Sequence, residues 1–137
     1  MIYSYTRAQA IDDGVLIDVT KIAREAGFKF PVACTSGLFY RYIETVENVP
    51  EDYPPQDESG RLWDLLTMLR YGIKKSNGRE IVFSFIFQMP NANDWKHQYE
   101  QEEPEAGKYA RLVKLQAFCG PGDSMEPVIT IMQMDED

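Results

Sequence analysis

The apolar positions of this chain come in short bursts, each bracketed by residues that start or stop an element. Ile2 and Ser4 alternate with Tyr3 and Tyr5, a β-compatible opening. Thr6 offers a side-chain oxygen to cap a short helix from Arg7 to about Asp12, and Gly14 ends it. The run Val15, Leu16, Ile17 leads to Asp18 and Thr20, either of which can cap a second helix over Lys21–Ala26, closed by Gly27. From Phe28 to Cys34 every second residue is apolar (Phe28, Phe30, Val32, Cys34), which predicts an extended strand, with Pro31 confining it to a sheet edge. Thr35 or Ser36 caps the next helix, through Val46, where Leu38, Phe39, Tyr42, Ile43 and Val46 recur at three-and-four spacing as one apolar stripe.

Residues 48–60 hold Pro50, Pro54 and Pro55 among acids, so they sustain neither helix nor ladder and form a surface connection. Asp57 or Ser59 then starts the strongest helix of the chain, Arg61–Lys75, with Leu62, Leu65, Leu66, Leu69 and Ile73 on one face and Asn77 and Gly78 as its stop. Glu80–Gln88 is nearly continuously apolar and predicts a central strand covered on both faces. Lys108–Cys119 alternates more weakly, and Val128–Met134 is a third strand behind the turn Gly120–Asp123. Three successive strands with no helix between them favour an antiparallel meander. The expected fold is α+β: a three- to four-stranded, mainly antiparallel sheet with three to four helices packed on it as one pair of layers. The Leu38 and Leu62 helices close over the Ile81 strand.

Composition supports one self-sufficient domain over residues 1–137, since 44% hydrophobic and 12% aromatic content fills a core at this length. Charge narrows the function classes. Fourteen Lys and Arg against 22 Asp and Glu give a net charge of −8, which opposes direct binding to nucleic acid or anionic lipid. The acids cluster: Glu44, Glu47, Glu51, Asp52, Asp57 and Glu58; Glu100, Glu102, Glu103 and Glu105; Asp135, Glu136 and Asp137. Arg70, Lys74, Lys75 and Arg79 form a small basic run. Cys34 and Cys119 lack CxxC spacing and His97 is the only histidine, so no zinc set, and no cofactor, is expected. The opening is too short and polar for a signal peptide, and no apolar run approaches the roughly 18 residues that span a bilayer. A cytoplasmic chain with reduced, buried thiols and no membrane association is the expectation.

Several groups invite a chemical reading. The long connection Met89–Gly107 carries Trp95, His97 and Tyr99, the candidate interaction loop, since long structureless connections are usually functional. His97 has the titration range of an acid–base group, but nothing linear sets a nucleophile beside it, and a solvated loop histidine is the plainer reading. Cys34, before Thr35 and Ser36 at a helix start, could be activated by the helix dipole; burial in the core is the alternative, as for Cys119. Asp12 with Asp13, and Asp57 with Glu58, could hold a cation but suit helix ends and turns better. Gly120, Pro121, Gly122, Asp123 and Ser124 lack the lysine of a phosphate loop and read as a turn. The acidic clusters suit either solubility or imitation of nucleic acid, the latter requiring that they converge on one face.

Tyr5–Thr35 (YTRAQAIDDGVLIDVTKIAREAGFKFPVACT) together with Gln56–Arg70 (QDESGRLWDLLTMLR) resembles an uncharacterised family of small acidic bacterial proteins associated with plasmids, phages and other mobile elements. That resemblance implies a context and brings no activity, cofactor or catalytic residue. The segment Ala10–Leu16 after an aromatic-ended strand is similar to the start of some ADP-ribosyltransferase-like domains, which implies an NAD pocket; Tyr5 and Thr6 stand where that family has histidine. The leading expectation is a nonenzymatic accessory or protein-interaction domain of a mobile element, with a protein as partner. The alternatives are an NAD-binding enzyme of the second kind or an acidic nucleic-acid mimic. Oligomeric state is not legible.

Overall fold

Side-chain caps start three of the helices as expected, while the second begins at Thr20 after Val19, which makes no side-chain cap bond. A computed structural model of the protein describes residues 5–45, 49–74, 78–90 and 98–136. The expected opening strand up to Ser4, Val46, and Lys75 and Asn77 lie outside the described residues. Helix α1 (Arg7–Asp12) begins with a reciprocal cap: Thr6 Oγ1 accepts the Gln9 N–H at 3.0 Å while Gln9 Oε1 accepts the Thr6 N–H at 2.8 Å. Asp123, from the far end of the chain, accepts the N–H groups of Arg7 and Ala8 at 2.8 and 3.0 Å, and these bonds hold its carboxyl below the usual range. Gly14 follows in the left-handed region (φ +79°), and strand β1 (Leu16–Asp18) runs directly into helix α2 (Thr20–Glu25), where Asp18 Oδ1 accepts the Thr20 N–H at 3.0 Å.

Strand β2 (Val32–Thr35) is shorter than the alternating run predicted, because Phe30 turns outward and Pro31 stands before the ladder. Thr35 caps the short helix α3 (Ser36–Leu38), which widens into a π-helical turn over Phe39–Ile43 closed by Glu44 N–H to Phe39 O at 2.8 Å. The expected helix through Val46 therefore stops at Ile43, with Leu38, Tyr42 and Ile43 buried. Helix α4 (Glu58–Lys74) starts earlier than predicted, Asp57 Oδ1 accepting the Gly60 N–H at 2.6 Å, and buries Leu62, Leu65, Leu66 and Leu69.

Four further strands follow: β3 (Glu80–Gln88), β4 (Glu100–Glu102), β5 (Ala110–Pro121) and β6 (Pro127–Gln133). The fold is α+β, with a six-stranded sheet where three or four strands were expected. Its order is β1-β2-β6-β5-β3, with β4 also beside β5. One side of β5 pairs with β3 along its length, and the other with β4 through Arg111–Val113 and with β6 through Leu115–Pro121. All pairings are antiparallel except β2 with β6.

Two expectations are reversed here. β2 is an interior strand rather than an edge, since Pro31 precedes the ladder and leaves its N–H groups intact. β3 is an edge rather than a central strand, and only its inner face (Ile81, Phe83, Phe85, Phe87) meets the helices, while Val82 and Ile86 on the outer face are 49% and 39% exposed. The weakly patterned β5 is central instead. The core forms where α2, α3 and α4 lie on one face, against Cys34, Phe87, Val113, Leu115, Ala117, Ile129 and Ile131. α1 serves the other face: Arg7 donates to Thr130 Oγ1 at 2.7 Å, a side chain that alternates with core-facing Ile129 and Ile131.

Candidate functional site

Of the expected interaction loop, Trp95 and His97 lie outside the described residues. Tyr99 is half-buried beside β5, its carbonyl accepting the Lys114 N–H at 2.9 Å. Of the two cysteines expected to be buried, Cys34 is a core residue, whereas Cys119 is only partly buried at the edge of the core. Cys34 is wholly buried, and burial, with Glu136 adding to it, pushes its thiol up to about 12, the reverse of a dipole-activated nucleophile. Among the described residues no group of three His, Cys, Asp or Glu could hold a metal ion.

Several of the acids are engaged in hydrogen bonds or ion pairs. Asp13 accepts the Tyr5 hydroxyl at 2.7 Å, and Asp52 bonds Lys108 Nζ at 2.8 Å and the Tyr109 hydroxyl at 2.6 Å. Lys108 and Tyr109 hold the Asp52 carboxyl below its usual range. The side chain of Glu100 is 3% exposed and accepts the Tyr42 hydroxyl and Arg41 Nε (3.3 Å), Glu102 approaches Arg111 at 3.9 Å, and Glu136 accepts the Thr35 hydroxyl at 2.5 Å.

The feature with the geometry of a binding site is one the residue pattern indicated only through its basic run. A cleft of about 280 Å³ opens between the α2–β2 turn, the C-terminal half of α4 and the start of β3. Its floor is Ile81, Ala117, Cys119 and Ile129, and its walls are Phe28, Phe30 and Ile73, with Phe30 and Ile73 42% and 37% exposed. Lys29, Arg70, Lys74 and Arg79 line the same cleft, and among the described residues no acid does, in a chain whose net charge is −8.

The local sequence builds this arrangement. Gly27 ends α2 with φ +103°, and a Cβ there would stand 2.6 Å from the Arg70 guanidinium carbon, so glycine both makes the turn and admits the cation. Arg70 in turn reaches the Ala26 carbonyl at 3.5 Å. Arg70 and Lys74 fall one turn apart on α4, which sets both heads on one flank. Phe30, one of the apolar positions of the expected strand, lies before β2 and is exposed, so the strand pattern gave no sign of this open apolar wall.

The model of a family of unknown function, DUF6573, matches residues 1–137. Neither the curated proteins nor the solved structures give a match. The chain belongs to DUF6573.

Proposed function

We propose that this member of a family of unknown function is a noncatalytic binding domain whose cleft between α2, α4 and β3 holds a small anionic amphiphile, an acid group on a short apolar body. The observation that carries this reading is the concentration of Lys29, Arg70, Lys74 and Arg79 around an apolar floor, with no acid among the described lining residues, on an otherwise acidic protein. An apolar pocket with a few convergent polar groups is the usual form of a ligand site, and this volume lies near the lower end of the roughly 300–1,000 Å³ such sites span, which suits a short body. The cations supply orientation and selectivity for the charged head, and the phenylalanine and isoleucine side chains supply the apolar contribution. As part of the same proposal, the domain serves as an accessory protein of a mobile element, a context supported by the resemblance of residues 5–35 and 56–70.

Octanoate, octan-1-ol, acetate and NAD, compared in a thermal-shift titration, test this. Octanoate is expected to raise Tm, because a ligand at a hundredfold excess over Kd stabilises the fold by about 2.7 kcal/mol. Octanol and acetate, each carrying half the chemistry, shift it much less. Arg70→Ala weakens octanoate roughly tenfold, the size expected for losing a bond to a charged group. No shift with octanoate, or an equal shift with octanol, removes the proposal; a shift with NAD alone favours the enzyme reading.

A further inference from the structure

The free edge of β3 has a symmetry that its position in the sheet makes useful. Cys119 N–H bonds Arg79 O at 2.7 Å and Met89 N–H bonds Tyr109 O at 2.8 Å, which fixes the odd-numbered residues of the strand as those bonded to β5. In an antiparallel ladder the intervening residues direct both N–H and C=O the other way. Val82, Ser84 and Ile86 therefore present donors and acceptors along the outer edge, where the described residues supply no strand. Gln88, at the end, shows the same direction: its carbonyl accepts the Tyr53 hydroxyl at 2.8 Å and the Arg61 guanidinium.

The strand reads Ile81, Val82, Phe83, Ser84, Phe85, Ile86, Phe87, which is nearly the same in either direction about Ser84. We propose that a second copy of this chain occupies the edge, β3 pairing antiparallel with β3 across a two-fold axis at Ser84, so that two sheets become one. In that register Ser84 faces Ser84, Val82 faces Ile86 and Phe83 faces Phe85 of the partner copy. The outward-facing residues meet each other, exchanging about six main-chain hydrogen bonds. Glu80 falls opposite Gln88, so no like charges are opposed.

Other registers lose this match. A one-residue slip sets outward-facing residues against inward-facing ones. The side chains agree with the pairing: Val82 and Ile86 are exposed, and Phe83 and Phe85 are only half-buried within one copy, so cross-strand apolar pairs would form on both faces. Met68, 46% exposed, lies one turn before Gly72, which abuts Ile81, so the same flank of α4 would join the contact. A long apolar edge left bare is an association site, and edges are normally blunted by charge, proline or bulges, none of which interrupts 81–87. Each copy carries −8, so association strengthens as salt screens the repulsion.

Sedimentation equilibrium of the full chain between about 1 and 500 µM tests the pairing at two salt concentrations. The expected result is a monomer–dimer equilibrium that tightens with salt. Val82→Lys with Ile86→Lys opposes cations across the axis and weakens the dimer at least tenfold, as does Val82→Glu with Ile86→Glu; mixing the two variants restores a dimer. Hydrogen exchange on the unaltered protein gives a second reading that does not depend on variants folding. The amides of Val82, Ser84 and Ile86 slow with concentration, whereas those of Phe83 and Phe85 are protected throughout. A monomer at every concentration, a dimer indifferent to the lysine pair, failure of the mixture, or even-numbered amides protected independently of concentration overturns the proposal.

Discussion

Replacing Arg61 by alanine is expected to remove about 3–5 kcal/mol of stability, a large part of the roughly 5–15 kcal/mol of an ordinary domain. Arg61 is 7% exposed and lies in the first turn of α4, where a cation opposes the helix dipole, so its place is explained by what it bonds. Nη1 donates to Tyr42 O at 2.6 Å, Nη2 donates to the Tyr53 hydroxyl at 3.0 Å and to Gln88 O, and Nε donates to Gln56 Oε1 at 3.3 Å. One guanidinium thus ties the end of the π turn, the 49–57 connection and the end of β3 to α4. Burial lowers its pKa, against the pull of Tyr53. Truncation takes the guanidinium donor from the Tyr42 carbonyl, at about 1–3 kcal/mol, and leaves Gln88 O with the Tyr53 hydroxyl. Arg61→Lys recovers less than half, because an ammonium cannot reproduce the planar fork. Urea unfolding of the variants measures this against Arg79→Ala, an exposed change expected within about 0.5 kcal/mol. A loss from Arg61→Ala under about 1 kcal/mol would show that the connection is held by other means.

Alkaline pH should destabilise the protein steeply, and Cys34 is expected to account for a measurable share. Its thiol is pushed up to about 12 from an ordinary 9.0, first by burial and then by Glu136. Tyr42, buried against Phe87 with ring centroids 4.9 Å apart, is also raised, by burial and then by its bond to Glu100. A group whose pKa is raised on folding contributes its full stability below the unfolded value and loses it as pH climbs toward the folded one. For Cys34 that window runs from about 9 to about 12, at about 1.4 kcal/mol per pH unit. Unfolding free energies from urea titrations at pH 8 to about 11.5 should fall more steeply for the unaltered protein than for Cys34→Ala, with the curves converging as pH rises. Parallel curves would mean that the thiol ionises without resistance.

The residues announced the helix starts well, because a cap is a local bargain between a side chain and an N–H three residues away. Thr6 with Gln9, Thr35 and Asp57 all act within three positions, and the leucines of α4 declare its buried face. The place of each strand was less legible. β3 is apolar on both faces, and that pattern is the same whether a helix layer, a neighbouring copy or solvent lies over the second face. β5 has polar Lys114 and Gln116 in its pattern, yet it is central because Gln116 satisfies its amide with the carbonyls of Gln133 and Glu136 at 2.9 and 3.1 Å. Such bonds join distant segments and leave no periodic trace.

The candidate cleft divides in the same way. Arg70, Lys74 and Arg79 were visible as a basic run, but the apolar floor beneath them comes from β3, β5 and β6. The amino-acid sequence by itself determined the capped helices, the apolar stripe of α4, the strand character of β3 and β6 and the net negative charge, since each rests on neighbours within a few residues. Only the tertiary structure decided that β5 is central and β3 lies at the edge, that Arg61 is interior, and that cations surround an oily cleft. Burial and charge depend on what the chain brings close in space, and those approaches are set by the whole packed arrangement.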